Sequence, residues 1–146
     1  MSIQTLEPKL ANVGGIPIAR LLPNKGKKPI GAWCFLDHAG PADFGEDDAG
    51  MQVGRHPHIN LQTFSWMLNG EVLHKDSLGN EQVITKNQAN VMTAGTGLHQ
   101  GISHTEQSVF PDTGGSENAA RGISMVQLWI ALPTDQKIER SFHHYP

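Results

Sequence analysis

From His58 to Leu68 the chain alternates with a period of two. His58, Asn60, Gln62, Phe64 and Trp66 stand in one phase, and Ile59, Leu61, Thr63, Ser65 and Met67 in the other. That period belongs to a strand, whose successive side chains project from opposite faces, and not to a helix. The neighbouring stretches follow the same pattern. "IPIARLLP" (16–23) reads as a first strand, and "IGAWCFLDHAG" (30–40) as a buried strand closing at Gly40-Pro41. "EVLHKD" (71–76) and "EQVIT" (81–85) read as the arms of a hairpin, with Gly79 and Asn80 in a turn that tolerates positive φ. "ANVMTAG" (89–95) is a further strand, and "ISMVQLWIALP" (123–133) is the clearest buried strand in the chain. With 16 Gly and 9 Pro among 146 residues, and no amphipathic helix of ten or more, the sequence predicts one all-β domain, a sandwich or a barrel.

Composition narrows the function classes. The net charge of −3 supplies no global basic field for nucleic acid or an anionic membrane, and "NKGKK" (24–28) is too short a basic run to change that. No apolar run approaches the ~20 residues of a membrane span, and "MSIQTLEPKL" has neither the basic nor the apolar region of a signal peptide. Cys34, the single cysteine, excludes an internal disulfide framework and any zinc site built on several thiolates. A soluble, cytoplasmic protein is expected. No nucleophile elbow, P-loop or dinucleotide fingerprint is present.

The chemistry concentrates in the histidines. His56 and His58, two residues apart, project from one face of a strand, where two imidazoles can converge on one cation. The same pair also reads as two half-exposed imidazoles flanking Pro57. Downstream, His104 and Glu106 repeat the spacing, so two strand pairs meeting inside a barrel give three imidazoles and one carboxylate. Such a set suits a divalent first-row metal with open positions, Fe(II) before Mn, Ni, Cu or Zn.

At these residues the chain resembles the cupin superfamily through Gly50-x5-His56-x-His58-x4-Thr63-x6-Gly70. More narrowly it resembles the N-terminal domain of the pirin family. The matching pieces are "FLDHAGPADF" (35–44), "HPHINLQTFSWMLNGEVLHKDSLGN" (56–80), "MTAGTG" (92–97), "ISHTE" (102–106), "QLWIALP" (127–133) and "FHHYP" (142–146). The resemblance implies a single cupin-type β-barrel over residues 16–133 that holds iron through His56, His58, His104 and Glu106. Residues 1–15 are then a loosely docked lead-in, and 134–146 a tail toward a second cupin domain. It further implies a dioxygenase acting on a small flavonol-like aromatic molecule, with Glu106 as general base, or alternatively a non-enzymatic iron-binding module that contacts a protein partner. Without a second domain, a homodimer is expected to cover exposed apolar surface.

The sequence departs from the family pattern at several places. Thr63 stands where a glutamate ligand often does, Asn60 replaces a glycine, and "KNQ" (86–88) replaces a Pro-Gly-Asp turn. The longer stretch between Gly97 and His104 leaves His99 as a rival ligand. His74 and Asp76 read as a solvated cross-strand pair, with orientation of a metal ligand as the alternative. Asp37-His38 reads as a support for the loop 39–50, and Cys34 as a buried thiol. Phe64, Trp66, Met67 and Met92 are candidates either for a pocket lining or for plain core.

Overall fold

The computed structural model describes residues 5–25, 29–98, 100–110 and 121–146. Two features read from the sequence fall outside them: most of the basic run 24–28, and the rival ligand His99. The described residues form eleven antiparallel strands and no helix: β1 (Lys9–Val13), β2 (Ile16–Leu22), β3 (Trp33–Asp43), β4 (Gln52–His58), β5 (Leu61–Asn69), β6 (Val72–Asp76), β7 (Glu81–Ile84), β8 (Ala89–Thr93), β9 (Ile102–Ser108), β10 (Gly122–Ala131) and β11 (Ser141–Tyr145). They make two sheets. One has seven strands in the order β1-β2-β3-β10-β5-β8-β11, and the other has four in the order β4-β9-β6-β7. No described helix is long and apolar enough to cross a membrane.

Between the sheets lies a core of Ile16, Ile18, Ala39, Met51, Met67, Val72, Ile84, Ile123 and Met125, each nearly inaccessible. Its members come from strands of both sheets, so neither sheet buries its inner face without the other. The alternating phase of each strand decides which side chains enter. On β5 the inward phase is Thr63, Ser65 and Met67, while Trp66 is 42 % exposed.

The strands differ from expectation in three places. The alternation starting at His58 is two strands, not one: it breaks at Asn60, whose φ of 57° turns the chain out of the four-stranded sheet and into the seven-stranded one. β3 does not close at Gly40-Pro41 but runs on to Asp43, which pairs with Gly122. The lead-in and the tail both join the sheet. Lys9–Val13 pairs with β2 along its whole length, and Ser141–Tyr145 pairs with β8. Both edge segments gain backbone partners that no side-chain pattern announces.

Candidate metal centre

The site grows from three adjacent strands of the smaller sheet. In the β4–β9 ladder His56 is opposite His104, with a register shift between Val53 and His56 that accommodates the unpaired residues before Pro57. In the β6–β9 ladder His74 is opposite Glu106 and Asp76 opposite His104. Residues opposite one another share a face, so β4, β9 and β6 each turn two polar side chains into the barrel.

His56, His58 and His104 come together: one ring nitrogen from each lies within 4.8 Å of the other two. The Nε2 atoms of His58 and His104 are 3.0 Å apart, close enough for two imidazoles to share one cation at about 2.0–2.1 Å from each. Nδ1 of His56 lies 2.9 Å from the carbonyl oxygen of Gly54. That oxygen only accepts, so Nδ1 carries the proton and Nε2 is the bare nitrogen. Burial lowers the pKa of His58 to about 4, assisted by His56. Burial likewise lowers that of His104 to about 2, with the neighbouring His56, His74 and His58 adding to it. Both rings are neutral at physiological pH and offer lone pairs rather than positive charge.

Glu106 is placed differently from the expected quartet. Its carboxylate groups with His104 and His74, within the same 4.8 Å spacing, rather than with all three of the other histidines. It is 4 % exposed and held from across the barrel. Nε2 of Gln127 on β10 donates to both carboxylate oxygens at 3.2 Å, and the hydroxyl of Ser65 on β5 donates to one at 3.3 Å. Glu106 therefore ties the two sheets together beside the histidines.

A cavity of about 610 Å³ opens next to this cluster, lined by the polar Arg20, Asp37, His56, Glu106 and Gln127 and by apolar side chains that include Phe35, Met125 and Trp129. Its size falls within the range of small-molecule pockets. Phe35 stacks on Trp129 at 4.0 Å, and Trp129 meets the ring of His58 edge-on at 5.0 Å. Arg20 lies 4.6 Å over the other side of Phe35 and grips Asp37 with Nε and Nη2, at 3.0 and 2.9 Å.

Several expectations change here. Phe64, Trp66, Met67 and Met92 do not line the cavity; Met67 and Met92 are core, and Trp66 faces outward. Cys34 lies on the cavity wall, half-buried, with its thiol near the carbonyl of Trp129. Asp37 is the partner of Arg20, not a support for the loop, and His38 meets the hydroxyl of Ser124 at 2.9 Å. His74 and Asp76 are not solvated: they are 3 % and 8 % exposed and belong to the buried polar cluster. Sequence reasoning passed over Arg20, Ser65, Gln127 and Trp129. Arg20 and Gln127 carried a signal, each being a polar residue in the inward phase of a strand otherwise apolar on that face.

The donor set fits a divalent cation: three imidazoles facing one space, a carboxylate beside them and no thiolate.

The Pirin family model matches residues 15–130. Over 146 residues the chain is 51 % identical to a protein of Pseudomonas aeruginosa named as a candidate quercetin 2,3-dioxygenase, an alignment that covers 99 % of this chain and 42 % of that protein. The crystal structure of a quercetin 2,3-dioxygenase from Acinetobacter baumannii is 48 % identical, with a TM-score of 0.81 over 97 % of this chain and 44 % of its own. A bacterial pirin from Escherichia coli, solved in complex with nickel(II), shares the fold at 21 % identity and a TM-score of 0.67, over 94 % of this chain and 53 % of that one. The chain thus spans less than half the length of the first two.

Proposed function

Because the chain belongs to the pirin family, we propose that it binds Fe(II) through His56, His58 and His104, with Glu106 alongside, and supports dioxygenation of a flavonol-like aromatic substrate. The observation that carries this reading is the convergence of three imidazole nitrogens, with the ring of His56 and the carboxylate of Glu106 also lining a cavity whose walls are mostly apolar and aromatic. When bound, the ion supplies coordination positions at which a substrate oxygen and dioxygen are held together. The relatives named for quercetin 2,3-dioxygenase point to the same substrate class.

The chain's own residues have separable roles. Phe35, Met125 and Trp129 receive a planar aromatic ring and exclude water from it. Glu106 accepts the proton of a substrate hydroxyl at a carboxylate oxygen, and Gln127 and Ser65 hold that carboxylate in place through their hydrogen bonds. Neutral His58 and His104 keep their lone pairs for the cation instead of repelling it.

A second reading is a metal-binding module that contacts a protein, the metal shaping the surface. The bridged pair Ile30 and Trp33, 55 % and 46 % exposed, favours it as an apolar patch outside the barrel. One experiment separates the two. Elemental analysis of protein purified without a histidine tag should find one first-row metal per chain, and the Fe(II)-loaded protein should bleach the visible absorbance of quercetin. Glu106→Gln should lower that rate by about 10²-fold or more while retaining the fold. Bound metal with no loss of quercetin absorbance selects the binding module. Absence of metal from wild-type protein, even after exposure to Fe(II), sinks both.

A further inference from the structure

We propose that His74 and Asp76 are positioning residues that fix the tautomer of His104, so that its bare Nε2, and not an N–H, faces the space shared with His56 and His58. This rests on the metal reading of that space. His74 and Asp76 sit on β6, on the far side of β9 from His56 and His58.

The deduction follows the protons. Asp76 is an acceptor anchored by the hairpin turn. Its Oδ1 takes the backbone N–H of Leu78 at 2.9 Å and of Asn80 at 3.1 Å. The Asn80 amide reaches both carboxylate oxygens, at 3.1 and 2.9 Å. Oδ2 also faces Nε2 of His74 at 3.4 Å. A carboxylate has no proton to give, so the imidazole contributes it and His74 is the Nε2–H tautomer. Its Nδ1 is then bare, and it lies 3.3 Å from Nδ1 of His104. Two bare nitrogens do not face one another at that distance, so Nδ1 of His104 carries the hydrogen. A neutral imidazole has one ring proton, which leaves Nε2 of His104 bare; by the same rule Nε2 of His58, 3.0 Å away, carries its hydrogen toward that atom in the metal-free chain, and a cation takes the place of that hydrogen. The series Asn80–Asp76–His74–His104 thus runs from a surface turn to the ligand cluster.

Two further observations hold the relay in place. The ring of His74 is stacked on Phe142 of β11 at 4.6 Å and 20°. The three residues His74, Asp76 and His104 are 3 %, 8 % and 1 % exposed, so solvent does not compete for the two central contacts. Ligating histidines elsewhere donate their second N–H directly to a carboxylate or carbonyl. Here a second imidazole is interposed. Without an acceptor at Nδ1, His104 would turn to the Nε2–H form that imidazole side chains prefer in water, and the cation would have to displace that proton.

The test uses the full chain labelled with ¹⁵N-histidine. Two-bond ¹H–¹⁵N correlation spectra of the metal-stripped protein assign the proton on each ring, and nickel(II) affinity is measured by competition with a chromophoric chelator. Wild-type protein should show His104 protonated at Nδ1. His74→Phe keeps a ring against Phe142 but removes the acceptor; it should move the His104 proton toward Nε2 and weaken nickel binding about 10- to 100-fold. His74→Asn loses the stacked ring but keeps an acceptor oxygen where Nδ1 stood, and should recover more of the affinity. If His74 serves only to pack, the two variants rank the other way and the proposal is overturned. A wild-type spectrum with the His104 proton on Nε2 overturns it too, whether or not the variants fold. If wild-type protein binds no nickel, the metal reading fails by itself, and the spectrum still decides the tautomer.

Discussion

Two asparagines show how a family pattern is met by different residues. Asn60 and Asn87 stand where the resemblance places glycine, and both adopt positive φ, 57° and 69°. Asparagine is among the few side chains that enter this region routinely, so the departures change the residue and not the backbone. Asn87 also turns its backbone N–H to the carbonyl of Met67 at 2.8 Å, closing the turn before β8. Asn87→Gly should leave the urea midpoint of unfolding nearly unchanged. Asn87→Val, which places a β-branched side chain in a left-handed conformation, should cost about 1–2 kcal/mol in the same measurement. The conformation was half legible: a turn was readable at 86–88 but not at Asn60, and whether asparagine would keep the glycine geometry depended on the chain around it.

Among the elements, the hairpin of β6 and β7 matched its sequence signal, with arms at Val72–Asp76 and Glu81–Ile84 against an expected 71–76 and 81–85. Local turn chemistry sets a hairpin, and local chemistry is what a sequence displays. The break at Asn60 was not visible, because alternation continues across a change of sheet as readily as along one strand. The turn between β5 and β6 depends on a distant element. Gly70 has φ of 81°, and a Cβ there would collide with the carbonyl oxygen of Gly122 at the start of β10. Gly79 has a similar φ of 91° with nothing within 4 Å. Gly79→Ala should therefore show only the backbone penalty of about 1–3 kcal/mol, and Gly70→Ala a distinctly larger loss in chemical denaturation. Equal losses would mean that β10 yields without resistance.

Across the whole molecule, burying neutral histidines makes stability depend on pH. His58 and His104 titrate near 4 and 2 in the folded chain against an ordinary 6.5. Between pH 6.5 and 4 the unfolded chain takes up protons that the folded one refuses, so stability is present above 6.5 and falls as pH drops through this window. His56 on β4, His74 on β6 and Glu106 on β9 face the same space. For metal-stripped protein, thermal denaturation at pH 7.5, 6, 5 and 4.5 should show Tm falling steeply below 6.5, with a slope of order 2 kcal/mol per pH unit near pH 5. A flat profile across that range would mean that the histidines are charged in the fold.

The sequence by itself determined the fold class and the placing of His56, His58, His104 and Glu106 in two short stretches of strand. Period-two alternation, turn residues and an i, i+2 pair of ligands are all written within a few neighbouring positions. Only the tertiary structure decided which strand lies beside which, and with it everything that crosses between strands. It brought β6 alongside β9, so that a histidine read as solvated reaches Nδ1 of His104. It set Gln127 and Ser65, from the opposite sheet, on the carboxylate of Glu106, and made Phe35 and Trp129 the wall in place of Phe64 and Trp66. Contacts between sheets join residues tens of positions apart, and an alternating pattern gives two faces without saying which of them meets the other sheet.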